Sequence, residues 1–163
     1  NISPLEPAVV SICTFQAGSG AHNVIPPSAR LLGTVRTFNP AVRARMPQLL
    51  ERIVTEVAAG YGATARLTMM PGGTPAVVND AAMAELMRGA AGTVGLPVVE
   101  AVPTMGGEDF AEYQALVPGC FVWLGTGCPQ SWHHPKFTVD ESVIHKGAAL
   151  FAQAAVDAMT AKA

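Results

Sequence analysis

Leu31-Leu32-Gly33-Thr34-Val35-Arg36-Thr37-Phe38-Asn39-Pro40 is the stretch on which the fold turns. Leu31, Gly33, Val35 and Thr37 fall on one face of an extended chain, and Leu32, Thr34, Arg36 and Phe38 on the other, the period of a strand. Asn39-Pro40 then reads as a helix N-cap followed by Pro at the first helical position, where its missing N–H costs nothing. Val42, Met46, Leu50, Ile53 and Val57 continue at helical spacing. Pro47 falls early enough to kink this helix rather than end it, and Gly60 and Gly62 stop it. Upstream, Pro7 to Phe15 is rich in Val, Ile and Thr and reads as a strand, joined to the next by the turn Gln16-Ala17-Gly18-Ser19-Gly20. The two strands are expected to pair antiparallel. Ala63 to Met70 reads as a third strand, completing a ββαβ unit.

Pro71-Gly72-Gly73-Thr74-Pro75 is the best linker in the chain, and the texture changes after it. Asn79 is placed to cap a helix over 80–94 that ends at Gly95. Val98 to Val102 reads as a short strand, and 107–116 as a short helix. Cys120 to Leu124 is a continuous apolar run of the kind a buried parallel strand shows. After a loop rich in Gly and Pro, a last helix is expected over 140–159, with Ile144, Ala148, Phe151, Ala155 and Ala158 facing inward. Alternating helices and strands imply an α/β class for this second part.

The bulk composition removes whole classes of function. Of 163 residues, 50% are hydrophobic and 13% charged, a globular balance and not a disordered one. With a net charge of -2 and no basic run, neither nucleic acid nor an anionic membrane is an expected partner. No apolar run has the length of a membrane span. Cys13, Cys120 and Cys128 form no CxxC pair, which suits reduced thiols in a cytoplasmic protein. The first residue is Asn1 and no signal peptide follows it, so the chain is expected to begin inside a longer protein.

A few residues stand out chemically. Met105-Gly106-Gly107-Glu108-Asp109-Phe110 is a Gly-Gly turn opening onto an acidic helix start, and its N–H groups could hold an anionic group. The acidic pair is equally what a helix dipole favours. His133-His134-Pro135-Lys136-Phe137 places two adjacent His in a loop. They are exposed loop histidines on one reading and metal ligands on the other, but a zinc-type centre needs three or four ligands. Glu108, Asp109, Cys128 and Asp140 form no recognised spacing with them. Arg36, mid-strand, is either an exposed strand residue or a bidentate grip on a carboxylate. His22-Asn23, ahead of Val24-Ile25-Pro26, is either a polar turn with an apolar plug or a pair of hydrogen-bond donors aimed at an oxyanion or amide.

In order along the chain, Val9-Val10-Ser11, Asn23-Val24-Ile25-Pro26, Gly33-Thr34-Val35-Arg36-Thr37, Gly106-Gly107-Glu108-Asp109-Phe110, His133-His134-Pro135-Lys136-Phe137 and Asp140-Glu141 resemble one family. They resemble the C-terminal portion of metal-dependent amidohydrolases of the hippurate hydrolase type. That group includes N-acyl-amino-acid and indole-acetyl-amino-acid hydrolases and is related to aminoacylase. The resemblance covers nearly the whole chain. It implies an α/β fold in which residues 1–72 form an incomplete ββαβ lid (α+β, antiparallel sheet) that dimerises. Residues 73–163 would then form the αβαβα C-terminal part of a zinc-peptidase-like catalytic domain. It implies hydrolysis of the amide bond of N-acyl amino acids or small peptides by an intact parent holding two divalent metal ions (zinc, manganese, cobalt or nickel). Under it, Arg36 and Asn23 contact the substrate together with His22, Gly106 and Gly107, and His133 is a metal ligand. His134 stands where such proteins often carry Ser or Asn. The family's paired catalytic glutamates and other ligands have no counterpart in this chain. No catalytic residue, no tightly held metal and no activity of the chain alone are therefore expected. A non-catalytic binding or dimerisation module is the competing expectation.

Overall fold

Backbone hydrogen bonds begin in earnest at the first strand. The computed structural model describes residues 1–18 and 20–160; Ser19 of the expected turn lies outside them. Strand β1 (Ala8–Ala17) pairs antiparallel with β2 (Ala29–Thr37), with Val9 opposite Arg36 and Ile12 opposite Gly33. The register slips between Ile12 and Thr14, so Cys13 is an extra residue in β1, a β-bulge. Gly33 lies at the bulge for a steric reason: a Cβ there would stand 2.2 Å from the Ser11 carbonyl oxygen.

Helix α1 (Pro40–Gly60) starts as its sequence dictates. Asn39 Oδ1 accepts the Ala41 N–H at 2.8 Å, and Pro40 occupies the first turn. Its end is a Schellman arrangement. Gly62 takes a φ of 70°, its N–H donates to the Ala59 carbonyl, and the Ala63 N–H donates to Ala58. Val42 and Met46 are the buried residues of this helix, which packs on β2.

Helix α2 (Ala81–Thr93) is capped by Asp80, whose carboxylate accepts the Met83 N–H at 3.0 Å. The expected cap, Asn79, has a different task. Its amide oxygen accepts the Phe121 N–H at 2.8 Å and its nitrogen donates to the Phe121 carbonyl at 2.9 Å. Gln114 braces it, donating to Asn79 Oδ1 and to the Gly119 carbonyl while accepting the Val78 N–H. The α2 end repeats the Schellman pattern, with Gly95 at φ 72° and the Leu96 N–H on the Ala91 carbonyl.

Helix α3 (Phe110–Gln114) is shorter than the expected 107–116. A 3-10 turn (Glu141–Val143) capped by Asp140 leads into helix α4 (Ile144–Thr160). The α4 face that packs on α2 carries Leu150 and Ala154, which meet Ala90 and Ala91. This corrects the expected inward face: Ile144 is 59% exposed and Phe151 70% exposed. The helix is apolar on both sides, so periodicity could not choose between them, and the small residues of α2 did.

The segments 63–70, 98–102 and 120–124 form no ladder among the described residues, where strands were expected. Composition reports a preference for extended backbone, whereas a strand requires a neighbour to pair with. The fold is α/β, with two antiparallel strands beside its helices. The chain divides into two compact units. One holds Asn1–Ala76 with Thr104–Asp109; the other holds Val77–Pro103 and, of the described residues, 110–160. No helix among the described residues is long and apolar enough to cross a membrane.

Candidate functional site

Arg36 leaves β2 one residue before its end, and the strand register fixes where its side chain starts. Within the same unit the 104–109 segment lies against it. A Cβ on Gly107 would stand 3.0 Å from Arg36 Nη1 and 3.7 Å from Thr74 Oγ1. Only a residue without a side chain lets the guanidinium lie this close to the turn. The guanidinium is half-buried and has no hydrogen-bonding or ionic partner among the described residues. The N–H groups of Gly106 and Gly107 also lack partners there. An unpaired cation beside open backbone donors is an anion-binding arrangement, and the planar fork suits a carboxylate.

His22 and Asn23 lie in the loop between β1 and β2, exposed and without hydrogen bonds among the described residues. Two hollows, of about 320 Å³ and about 410 Å³, open elsewhere. The first lies beside Phe38, Arg43 and Pro75, the second around Asn79 and Gln114. Neither includes Arg36 or Gly107, and geometry around the guanidinium is the better guide to chemistry than volume.

In the other unit, Phe110, Phe121, Trp123 and Trp132 form a continuous aromatic ladder. Phe110 meets Phe121 at 5.9 Å, Phe121 meets Trp123 edge-on at 5.0 Å, and Trp123 stacks on Trp132 at 4.7 Å with the rings 13° from parallel. The next residue is His133. It adopts a φ of 63°, the one described non-glycine residue with positive φ. Strain of this kind costs about 1 kcal/mol or more and gathers at functional positions. His134 is engaged locally, its Nδ1 accepting the Lys136 N–H at 3.1 Å. Both histidines are exposed.

Cys128, in the loop before them, receives the Thr138 N–H at 3.4 Å on its sulfur. That hydrogen bond favours the thiolate and lowers the thiol pKa. Burial pushes Cys120 the other way, partly offset by the Arg88 charge. Asp140 is lowered by the hydrogen bonds it takes from Ser142. The described residues assemble no group of three His, Cys, Asp or Glu side chains that could hold a metal ion. This donor set does not by itself fit a metal centre.

Residues 6–157 match the profile of peptidase family M20/M25/M40. The chain belongs to that family. It is 45% identical over 156 residues to an N-acetylcysteine deacetylase of Bacillus subtilis (strain 168), a match covering 96% of this chain and 40% of the relative. It is 34% identical over 160 residues to thermostable carboxypeptidase 1 of Saccharolobus solfataricus, covering 95% and 40%. Among solved structures it is similar to a dinuclear metal-binding M20 peptidase of Bacillus subtilis. That match has a TM-score of 0.78 and 44% identity, and covers 91% of this chain and 41% of that one. The expected resemblance to metal-dependent amidohydrolases of the hippurate hydrolase type is borne out at the level of this family. The chain spans about 40% of the length of the curated relatives it matches.

Thr74 was missed in the sequence. Its surroundings, Gly72-Gly73-Thr74-Pro75, have linker composition, and only the fold brings its hydroxyl beside Gly107.

Proposed function

We propose that this chain supplies the substrate-carboxylate subsite and one metal ligand of an amidohydrolase that cleaves the amide bond of N-acyl amino acids or small peptides. The observation that carries the proposal is the unpaired, half-buried Arg36 guanidinium lying over Gly107. Arg36 would take the free carboxylate of the amino-acid moiety in a bidentate grip, and the Gly106 and Gly107 N–H groups would add backbone donors. Asn23 and His22 are proposed as polar contacts to the substrate from the β1–β2 loop. A fixed carboxylate orients the scissile amide, so the chain's part in catalysis is positioning.

His133 is proposed as a single ligand to a centre of two divalent metals, zinc, manganese, cobalt or nickel, completed by other residues of the intact enzyme. Its strained backbone supports that choice over His134. Residues 1–72 are proposed as lid and 73–163 as the catalytic part. A homodimer through the lid is supported by the two-stranded sheet, which among the described residues has unpaired edges and exposes Ile12, Phe15 and Leu31. A cytoplasmic location is part of the same proposal.

The test uses the intact enzyme loaded with divalent metal. Release of free amino acid is measured from N-acetyl and N-benzoyl amino acids and from the same compounds with the carboxylate converted to a carboxamide. The acids are expected to be hydrolysed faster. Arg36→Ala is expected to lower kcat/KM for the acids by about 2 kcal/mol, roughly thirtyfold, with little change for the carboxamides. An unchanged preference for the acids would remove Arg36 from the carboxylate. Absence of hydrolysis of any compound would favour a non-catalytic dimerisation module. The chain alone is expected to show no turnover.

A further inference from the structure

We propose that the Thr74 hydroxyl is a specificity-determining donor to the same carboxylate that Arg36 grips, an inference that rests on the carboxylate reading of Arg36. Thr74 Oγ1 and Arg36 Nη1 converge on one point, lying 3.7 and 3.0 Å from where a Gly107 Cβ would be. The absent side chain leaves a space with a cation, a hydroxyl and a backbone N–H around it. Thr74 is half-buried, and its hydroxyl has no hydrogen-bond partner among the described residues. No side-chain polar atom of those residues is both sealed from solvent and unpartnered, so the hydroxyl keeps contact with solvent.

The hydroxyl is also held in place. On one side, Arg43 donates through its guanidinium to the Gly73 carbonyl, tying the segment to helix α1. On the other, Pro75 confines Thr74 to extended backbone. Thr has few rotamers, so little freedom is lost when it binds. A flexible linker has no need of these restraints, whereas a donor aimed at an anion benefits from both. A carboxylate has lone pairs for more than the two bonds an Arg fork supplies, and a third donor selects a carboxylate over a neutral carboxamide. The carboxamide would turn an N–H toward at least one of these donors.

The experiment follows the Gly106 and Gly107 amide signals and the Arg36 Nε–H signal of the 163-residue chain by NMR. An N-acetyl amino acid and its carboxamide are titrated in turn. The acid is expected to shift all three signals and the carboxamide to shift them weakly. Thr74→Val, which keeps the shape and removes the hydroxyl, is expected to weaken acid binding about tenfold, and Thr74→Ser to restore most of it. If Thr74→Val binds the acid as wild type does while Arg36→Ala does not, the Thr74 inference is overturned and the Arg36 reading survives. If neither substitution changes acid binding, or wild type shows no acid-dependent shift, both are overturned. In the intact enzyme, Thr74→Val is expected to raise KM for the acid with kcat nearly unchanged. A fall in kcat alone would overturn the specificity role.

Discussion

The Arg36 guanidinium occupies the space that a side chain at position 107 would need: Nη1 lies 3.0 Å from the position of a Gly107 Cβ. The two residues are 71 positions apart in sequence, and the close approach depends on position 107 carrying no side chain. Gly107→Ala is therefore expected to displace the guanidinium by a few tenths of an ångström or more. The intact enzyme should lose about tenfold in its preference for N-acyl amino acids over the matching carboxamides. Melting temperature should scarcely move, because the turn is exposed. A variant that kept the preference intact would show that the close approach is incidental.

His133 offers a contrast between stability and function. Its left-handed backbone is strained in any residue with a Cβ, and glycine relieves that strain. His133→Gly should raise stability toward urea by about 1 kcal/mol while lowering the metal content of the intact enzyme. His133→Ala should lose metal without that gain, and His134→Ala should retain most of the metal. Metal content after dialysis, read by mass spectrometry beside urea midpoints, decides the matter. Greater metal loss for His134→Ala would reverse the assignment of the ligand.

Asn79 joins two sequence-distant segments by imitating a neighbouring peptide group, offering Phe121 both a donor and an acceptor. Asn79→Ala leaves that peptide and the Gln114 amide short of partners. We expect a loss of about 1–2 kcal/mol, seen as a lower urea midpoint with an unchanged slope. Asn79→Asp keeps the acceptor and loses the donor, and should fall between. If the alanine variant unfolds at the wild-type midpoint, the clamp is dispensable.

The cysteines should separate by pH. The thiolate is the reactive form, so a lowered pKa places reactivity at lower pH. Iodoacetamide should alkylate Cys128 before Cys120, since the Thr138 N–H stabilises the first thiolate while burial opposes the second. The backbone donor is the larger influence, so Thr138→Val should leave most of the difference in place. Peptide mapping of alkylation rates across a pH series gives the order directly. Equal rates throughout would contradict the hydrogen-bond argument.

How much of this could be read before folding depended on the range of the interaction concerned. Asn39, Gly62 and Gly95 act within a few residues, and their caps and stops were legible. Asn79 carried a proper cap residue's chemistry one position too early, and Asp80 took the cap because Asn79 was needed by Phe121. The run from Cys120 to Leu124 has strand composition, but a ladder depends on a partner that composition does not name. Helix α4 looked the same on two faces until Ala90 and Ala91 selected Leu150 and Ala154. Arg36, Gly107 and His133 stood out through residue type and motif, whereas Thr74 was concealed in linker-like sequence. A threonine immediately before proline, next to a pair of glycines, is a weak signal that a side chain is being held still.

The stack of Trp123 on Trp132 has an optical consequence. The chain contains two tryptophans, and both are in this one pair. Indole absorption and emission from the whole chain therefore originate at a single place, next to His133. Rings this close couple electronically, so the indole signal changes when they separate. Any event that reshapes that loop can be watched in real time in the unlabelled protein, with no engineered reporter.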